Sequence, residues 1–161
     1  MAGLVSSLID VLQGQVDLYN QIAALSARKK EFVIANDIDS LRDILAEENA
    51  VIPKVIRGDK DREKIMKDIC TVLNKKEAEL TLRGLVVLME NRPEHVELAA
   101  VVTALGAAAA EVQRLNEDNK ALVEQALEFI DYNINVIHSS MAEAPNMDLD
   151  TSQSGFLDIN G

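Results

Sequence analysis

From Leu122 to Ile137 the chain reads LVEQALEFIDYNINVI. At about 100° per residue, Leu122, Val123, Ala126, Leu127, Phe129, Ile130, Ile134, Val136 and Ile137 fall in an arc roughly half the helix circumference wide. Glu124, Gln125, Glu128, Asp131, Tyr132 and Asn135 take the other half. A two-stranded coiled coil covers a narrower stripe, so this segment predicts a helix with two neighbours, or with one neighbour and one visiting partner.

Upstream the same arc carries smaller residues, Ala108 and Ala109 among Val101, Val102, Leu105, Val112 and Leu115, which allow close helix approach. Asn116 and Asn119 project into its middle, where an unpaired amide costs about 1 to 3 kcal/mol. Two readings stay open: a buried amide pair that fixes helix register, or amides that bond a partner's backbone. From Pro93 to Pro145 only Gly106 interrupts the helical pattern. The last helix should therefore cover about 45 residues, roughly 65 to 70 Å at 1.5 Å each.

Towards the N-terminus, Leu4, Leu8, Val11, Leu18, Ile22, Leu25 and Phe32 follow 4,3 spacing and predict a long first helix. Asn36 and Asp37 favour caps and turns, so a kink or break is expected there. The pattern resumes through Ile38, Leu41, Leu45, Ile52 and Val55, with Pro53 fraying or bending the second helix before a turn at Arg57-Gly58-Asp59. Asp59 is expected to cap a third helix over about 60–79, and Thr81 a short one through Met89. Asn91-Arg92-Pro93 then ends that piece and opens the last helix.

Aromatic residues make up 3% of the chain against 48% hydrophobic overall, so the core must be aliphatic. Leu, Ile, Val and Ala fill seams between long helices, whereas a sandwich or barrel draws more on aromatic side chains. The expected fold is all-α: long antiparallel helices in a coiled-coil-like bundle over residues 1–140, followed by an acidic tail over 141–161. That tail is expected to be disordered or loosely docked, and Phe156, Leu157 and Ile159 give it a sticky end suited to docking on the body or to capture by another protein.

The formal net charge of −11 argues against nucleic acid, whose binding needs cations to displace the phosphates' counterions. Beyond Lys120 there is no Lys or Arg, while 54–83 holds nine basic and six acidic residues, so the molecule is electrically polar. Met1 to Asp10 carries no basic n-region, and the longest uncharged run, Leu98 to Ala110, is shorter than a bilayer requires. No membrane insertion is expected and the chain is placed in the cytoplasm. Cys70, in an apolar run, reads as a small buried hydrophobe.

Catalysis needs converging titratable groups, and His95, His138 and one cysteine are too few. Neither histidine has Glu three residues before it, as a di-iron bundle requires, and neither is set in the basic mid-helix surroundings of a phosphotransfer histidine. No enzyme activity, metal or cofactor is expected.

The run Leu115-Asn116-Glu117-Asp118-Asn119-Lys120-Ala121-Leu122 with its apolar continuation to Ile130 resembles the FlgN family of flagellar export chaperones, similar to the family's paired asparagines before an apolar helix. Asn36-Asp37-Ile38-Asp39-Ser40-Leu41 and Thr81-Leu82 support the likeness, which spans roughly 4–138. The resemblance implies a chaperone that holds hook-associated (hook and filament junction) proteins unpolymerised through their C-terminal helical segments and delivers them to the type III export apparatus. Carried to this chain, the cargo contacts would be Leu122, Val123, Leu127, Phe129, Ile130, Ile134 and Ile137, with Phe156, Leu157 and Ile159 of the tail, and Asn116 and Asn119 as register or partner amides. The competing expectation is a structural or regulatory bundle: a homo-oligomeric adaptor whose second copy fills the arc, or a phosphotransfer-like regulator.

Overall fold

The computed structural model describes residues 1–141, and these form four helices: α1 Ala2–Ala35, α2 Ile38–Val72, α3 Leu82–Leu88 and α4 His95–Met141, with a 3-10 turn at Glu77–Glu79. No strand occurs among the described residues, and the all-α expectation holds. Phe156, Leu157 and Ile159, expected to form the sticky end of the tail, lie outside the described residues.

Asn36 ends α1 in the left-handed conformation, φ 53°, which Asn tolerates better than most residues with a Cβ. Its N–H reaches the Val33 carbonyl at 3.2 Å and the Asp37 N–H reaches that of Phe32 at 3.0 Å, which satisfies two carbonyls the helix end would leave bare. Asp37 then caps α2: its carboxylate accepts from the Ser40 hydroxyl at 2.7 Å and the Ser40 N–H at 3.2 Å. The side-chain bond from Ser40, then the backbone bond, hold the Asp37 carboxyl below its ordinary value. Because the folded value is depressed, the cap contributes fully above the unfolded aspartate value and is lost as pH falls through the folded one. Asp37→Asn, which caps without titrating, should therefore lose less stability than wild type below about pH 4, read as the difference between their acid-unfolding curves; coincident curves would mean the cap contributes nothing.

The predicted turn at Arg57-Gly58-Asp59 does not exist: α2 runs unbroken through Pro53 and Gly58. Pro53 lies on the exposed face, where water can meet the carbonyl left without its N–H. Gly58 marks a close approach, since a Cβ there would lie 3.3 Å from Gln15 Cγ of α1 and press on that side chain. Asp59 caps nothing and instead accepts a 2.7 Å bond from Gln15 Nε2. The helix ends at Val72 rather than near Glu79, because Asn74 turns left-handed (φ 55°) and repeats the closure seen at Asn36, with the Lys75 N–H on the Cys70 carbonyl at 2.9 Å. Thr81 caps α3 as expected, accepting from the Gly84 N–H at 3.0 Å.

α1 is the central element and packs on α2 along one side and α4 along the other. Gln15 of α1 meets Asp59 while Arg28 and Lys29, further along α1, meet Glu47 and Glu48, earlier in α2, so α1 and α2 are antiparallel. Against α4 the numbers rise together. Val5, Leu8 and Leu12 share a core with Leu98, Val101 and Leu105, and Ser26 lies beside Asn119, so α1 and α4 are parallel. Ile69 and Cys70 of α2, Leu85 of α3 and Met89 just after it close the same core. A second cluster of Leu25, Ile44 and Val51 sits between α1 and α2 towards their connection.

By length and composition α4 is apolar enough to cross a bilayer, a property the charge-run criterion misses. Its buried Leu98, Val101, Leu105 and Ala108 lie on the bundle core, the ordinary use of such a face.

Candidate docking seam on the last helix

The register of α4 on α1 is fixed near its middle by Asn119, which is 4% exposed and donates Nδ2–H to the Ser26 carbonyl at 3.0 Å. A buried amide with a single matching acceptor disfavours sliding of one helix on the other. Its Oδ1 and the Ser26 hydroxyl have no protein partner. Asn116 departs from expectation: it is exposed, so the two asparagines form no buried amide pair. The step of three residues from Asn116 to Asn119 turns Asn116 about 60° off the α1-facing line, which runs through Leu115, Asn119 and Val123.

Both helices begin at one end of the bundle, and α4 has 47 residues where α1 has 34. Ser26 lies beside Asn119, 93 residues later, so Ala35 falls level with about Glu128. Everything from Phe129 on therefore overhangs the α1–α2 connection by roughly 20 Å at 1.5 Å per residue. Burial follows this geometry. Val123 is buried, Leu122 and Leu127 are half-buried beside the last turns of α1, and beyond them Phe129 is 65% exposed, Ile130 39% and Ile137 41%. Ile134 remains half-buried.

The line of α4 that faces α1 does not end where α1 ends. Leu115, Asn119, Val123, Ala126, Ile130, Ile134 and Ile137 follow one another at three- and four-residue steps, which keeps them on one face. The last three have lost the helix that covers the others. Isoleucine is β-branched and gains nothing as a solvent-facing helix residue, so three of them in this line form a packing surface without its packing partner.

The structure thus brings Ile130, Ile134, Ile137 and Phe129 onto the overhang, and assigns Leu122, Val123 and Leu127 largely to the bundle's own contact with α1. Tyr132, 65% exposed, and Val136, 44% exposed, belong to the overhang surface too. Tyr132 counts as polar by face, and only the missing neighbour reveals it as an available aromatic side chain. Ile34 and Ile38, exposed at the level where the overhang begins, are further apolar groups; periodicity counts Ile38 toward the α2 seam and passes over Ile34.

Elsewhere the chemistry is structural. His95 lies 3.0 Å from the Val86 carbonyl through Nδ1, which must carry the proton because a carbonyl only accepts, and so ties α4 to α3. Cys70 is buried in the core. Among the described residues no group of three His, Cys, Asp or Glu is placed to hold a metal. A shallow cleft of about 590 Å³ lies over Tyr19 between α2 and α4, but its Arg62 is tied to Asp59 and its Thr81 is engaged in capping α3.

Compared with known proteins, the chain matches the family model described as FlgN protein over residues 1–147. No curated protein and no solved structure gives a significant match.

Proposed function

The chain belongs to the FlgN family of flagellar export chaperones, and on that premise we propose that it binds hook-associated proteins in the cytoplasm, keeps them from assembling early and delivers them to the export apparatus. The observation that carries this is the overhang: a seam of Ile130, Ile134 and Ile137, with Phe129 beside it, continuing past the end of the helix that would cover it. A protein destined to polymerise through amphipathic terminal helices must have their apolar faces covered, and a helix laid into an apolar groove is the common way to cover one.

The magnitude suits a chaperone that must later let go. Burying a Phe or Ile side chain fully is favourable by about 1.5 to 3 kcal/mol, and these four begin only partly exposed. The cost of association and of ordering the visiting segment is set against this small gain, so the seam supports weak and readily reversed binding. The charge distribution is compatible with the same role. No Lys or Arg follows Lys120, so a nucleic acid or an anionic membrane is a poor match for this end of the molecule.

Affinity purification of the tagged full chain from a flagellated host tests the proposal. Hook and filament junction proteins are expected to co-purify in stoichiometric amount from cells blocked in export. Recovery of unrelated enzymes in their place would defeat it.

A further inference from the structure

The seam lies on the stretch of α4 to which residues 142–161 are joined. Along the helix Ile137 is about 6 Å and Ile130 about 17 Å from Met141, the last residue of α4. In the segment that follows, Met147 and Leu149 alternate with Asp148 and Asp150, whereas Phe156, Leu157 and Ile159 put large apolar side chains close together. The spacer between Met141 and Phe156 is polar and small-residue-rich, with Pro145, Ser152, Ser154 and Gly155. A spacer of about 14 residues spans about 20 Å on average and at most about 50 Å. The seam therefore sits where a tether of this length raises the local concentration of its end most, to the millimolar range. The cleft over Tyr19, with Ala109 in its α4 wall, is about 48 Å from Met141 along the helix and would need the spacer pulled straight.

We propose that in the free protein Phe156, Leu157 and Ile159 fold back onto Ile130, Ile134 and Ile137 and cover the seam until a partner displaces them. This rests on the overhang being a binding seam, and adds what occupies it beforehand. A second copy is the poorer occupant, since a stable symmetrical dimer uses about 20 to 30 residues a side and the seam offers Phe129 and three isoleucines, all partly shielded already. A visiting helix that also takes up the exposed Ile34 and Ile38 makes more contacts than the tail and displaces it. A tail of millimolar affinity in trans occupies the seam about half of the time or more at that effective concentration, and so weakens a competing helix about twofold or more.

The chain contains no Trp, so Phe156→Trp places a single reporter in the tail of the full chain. Its emission is expected to be blue-shifted and shielded from acrylamide, equally at low and high protein concentration. Both effects should vanish when Ile130→Asp/Ile134→Asp is added, changes that lie beyond the end of α1 and leave the helical circular dichroism as it was. A labelled helix-forming peptide with a Leu/Ile stripe at i, i+3, i+4 and i+7 spacing, titrated by fluorescence anisotropy, is expected to bind Leu157→Ser/Ile159→Ser about twofold or more tightly than the parent. Shielding that survives the seam variant, grows with protein concentration or is absent throughout would overturn the proposal. Equal peptide affinity in parent and tail variant, lost in Ile130→Asp/Ile134→Asp, would remove the cover and leave the binding seam standing. Shielding lost in the seam variant with no peptide bound would support the cover and count against the seam as a partner site.

Discussion

Phe129→Asp/Ile130→Asp is expected to abolish co-purification of a junction protein while the variant stays as stable and as well expressed as the parent. The two side chains are 65% and 39% exposed and lie beyond the end of α1, so in the free protein the change replaces groups already largely in water. Substitutions at such positions usually move stability by no more than about 0.5 kcal/mol, with Asp adding a modest helix-propensity cost. In the complex the same change removes two apolar contacts, each a part of the about 1.5 to 3 kcal/mol that full burial brings, and leaves two carboxylates facing an apolar stripe. Each 1.4 kcal/mol is a tenfold loss, so affinity should fall by about a hundredfold or more, past detection in a pull-down. The readout has two parts, cargo recovered on beads and thermal unfolding by circular dichroism. Undiminished cargo at unchanged stability would move the binding surface away from the overhang, with the cleft over Tyr19 the next surface to mutate.

Leu12→Ala is expected to do the reverse: lower stability strongly while leaving the overhang able to bind below the melting temperature. Leu12 is fully buried, and in α1 it sits where the core joins Leu8, Val16, Ile69, Leu98 and Leu105 from three helices. Alanine is the best helix former, so the loss is one of packing rather than of helix propensity. A fully buried Leu→Ala change costs about 2 to 5 kcal/mol, depending on how far the neighbours collapse into the space. For a chain of this size that corresponds to a fall in melting temperature on the order of 10 °C. A fall of only a degree or two would mean that α1 is not the helix around which the others are organised.

Much of the bundle is legible in local signals. Asn36 and Asp37 mark the first break because their short polar side chains suit a left-handed closure and an N-cap, effects confined to a few neighbouring residues. Thr81 is readable for the same reason. Gly58 is not, because a glycine kept for close approach looks in sequence like one kept for a turn. Only Gln15, 43 positions away along the chain, distinguishes the two. Asn74 carried a usable signal, the same residue type in the same left-handed closure as Asn36, masked by the Lys- and Glu-rich stretch that reads as more helix. Asn116 and Asn119 look equivalent in the sequence, and the rotation of α4 on α1 separates them by burying one against Ser26 and leaving the other in solvent.

By itself the sequence determined an aliphatic all-helical chain, because composition and periodicity act within each segment, and it determined that the last helix carries more apolar surface than a single neighbour covers. It also carried the length of that helix, since Gly and Pro punctuation is local. Which part of the surface stays open was decided only in the tertiary structure, where the path through α2 and α3 brings α4 back to the start of α1 and sets the two parallel. Two helices of unequal length that begin at one level cannot end at one level. The excess, Phe129 to the end of α4, is left without a companion by that alignment, a relation between residues about ninety positions apart that no local pattern encodes.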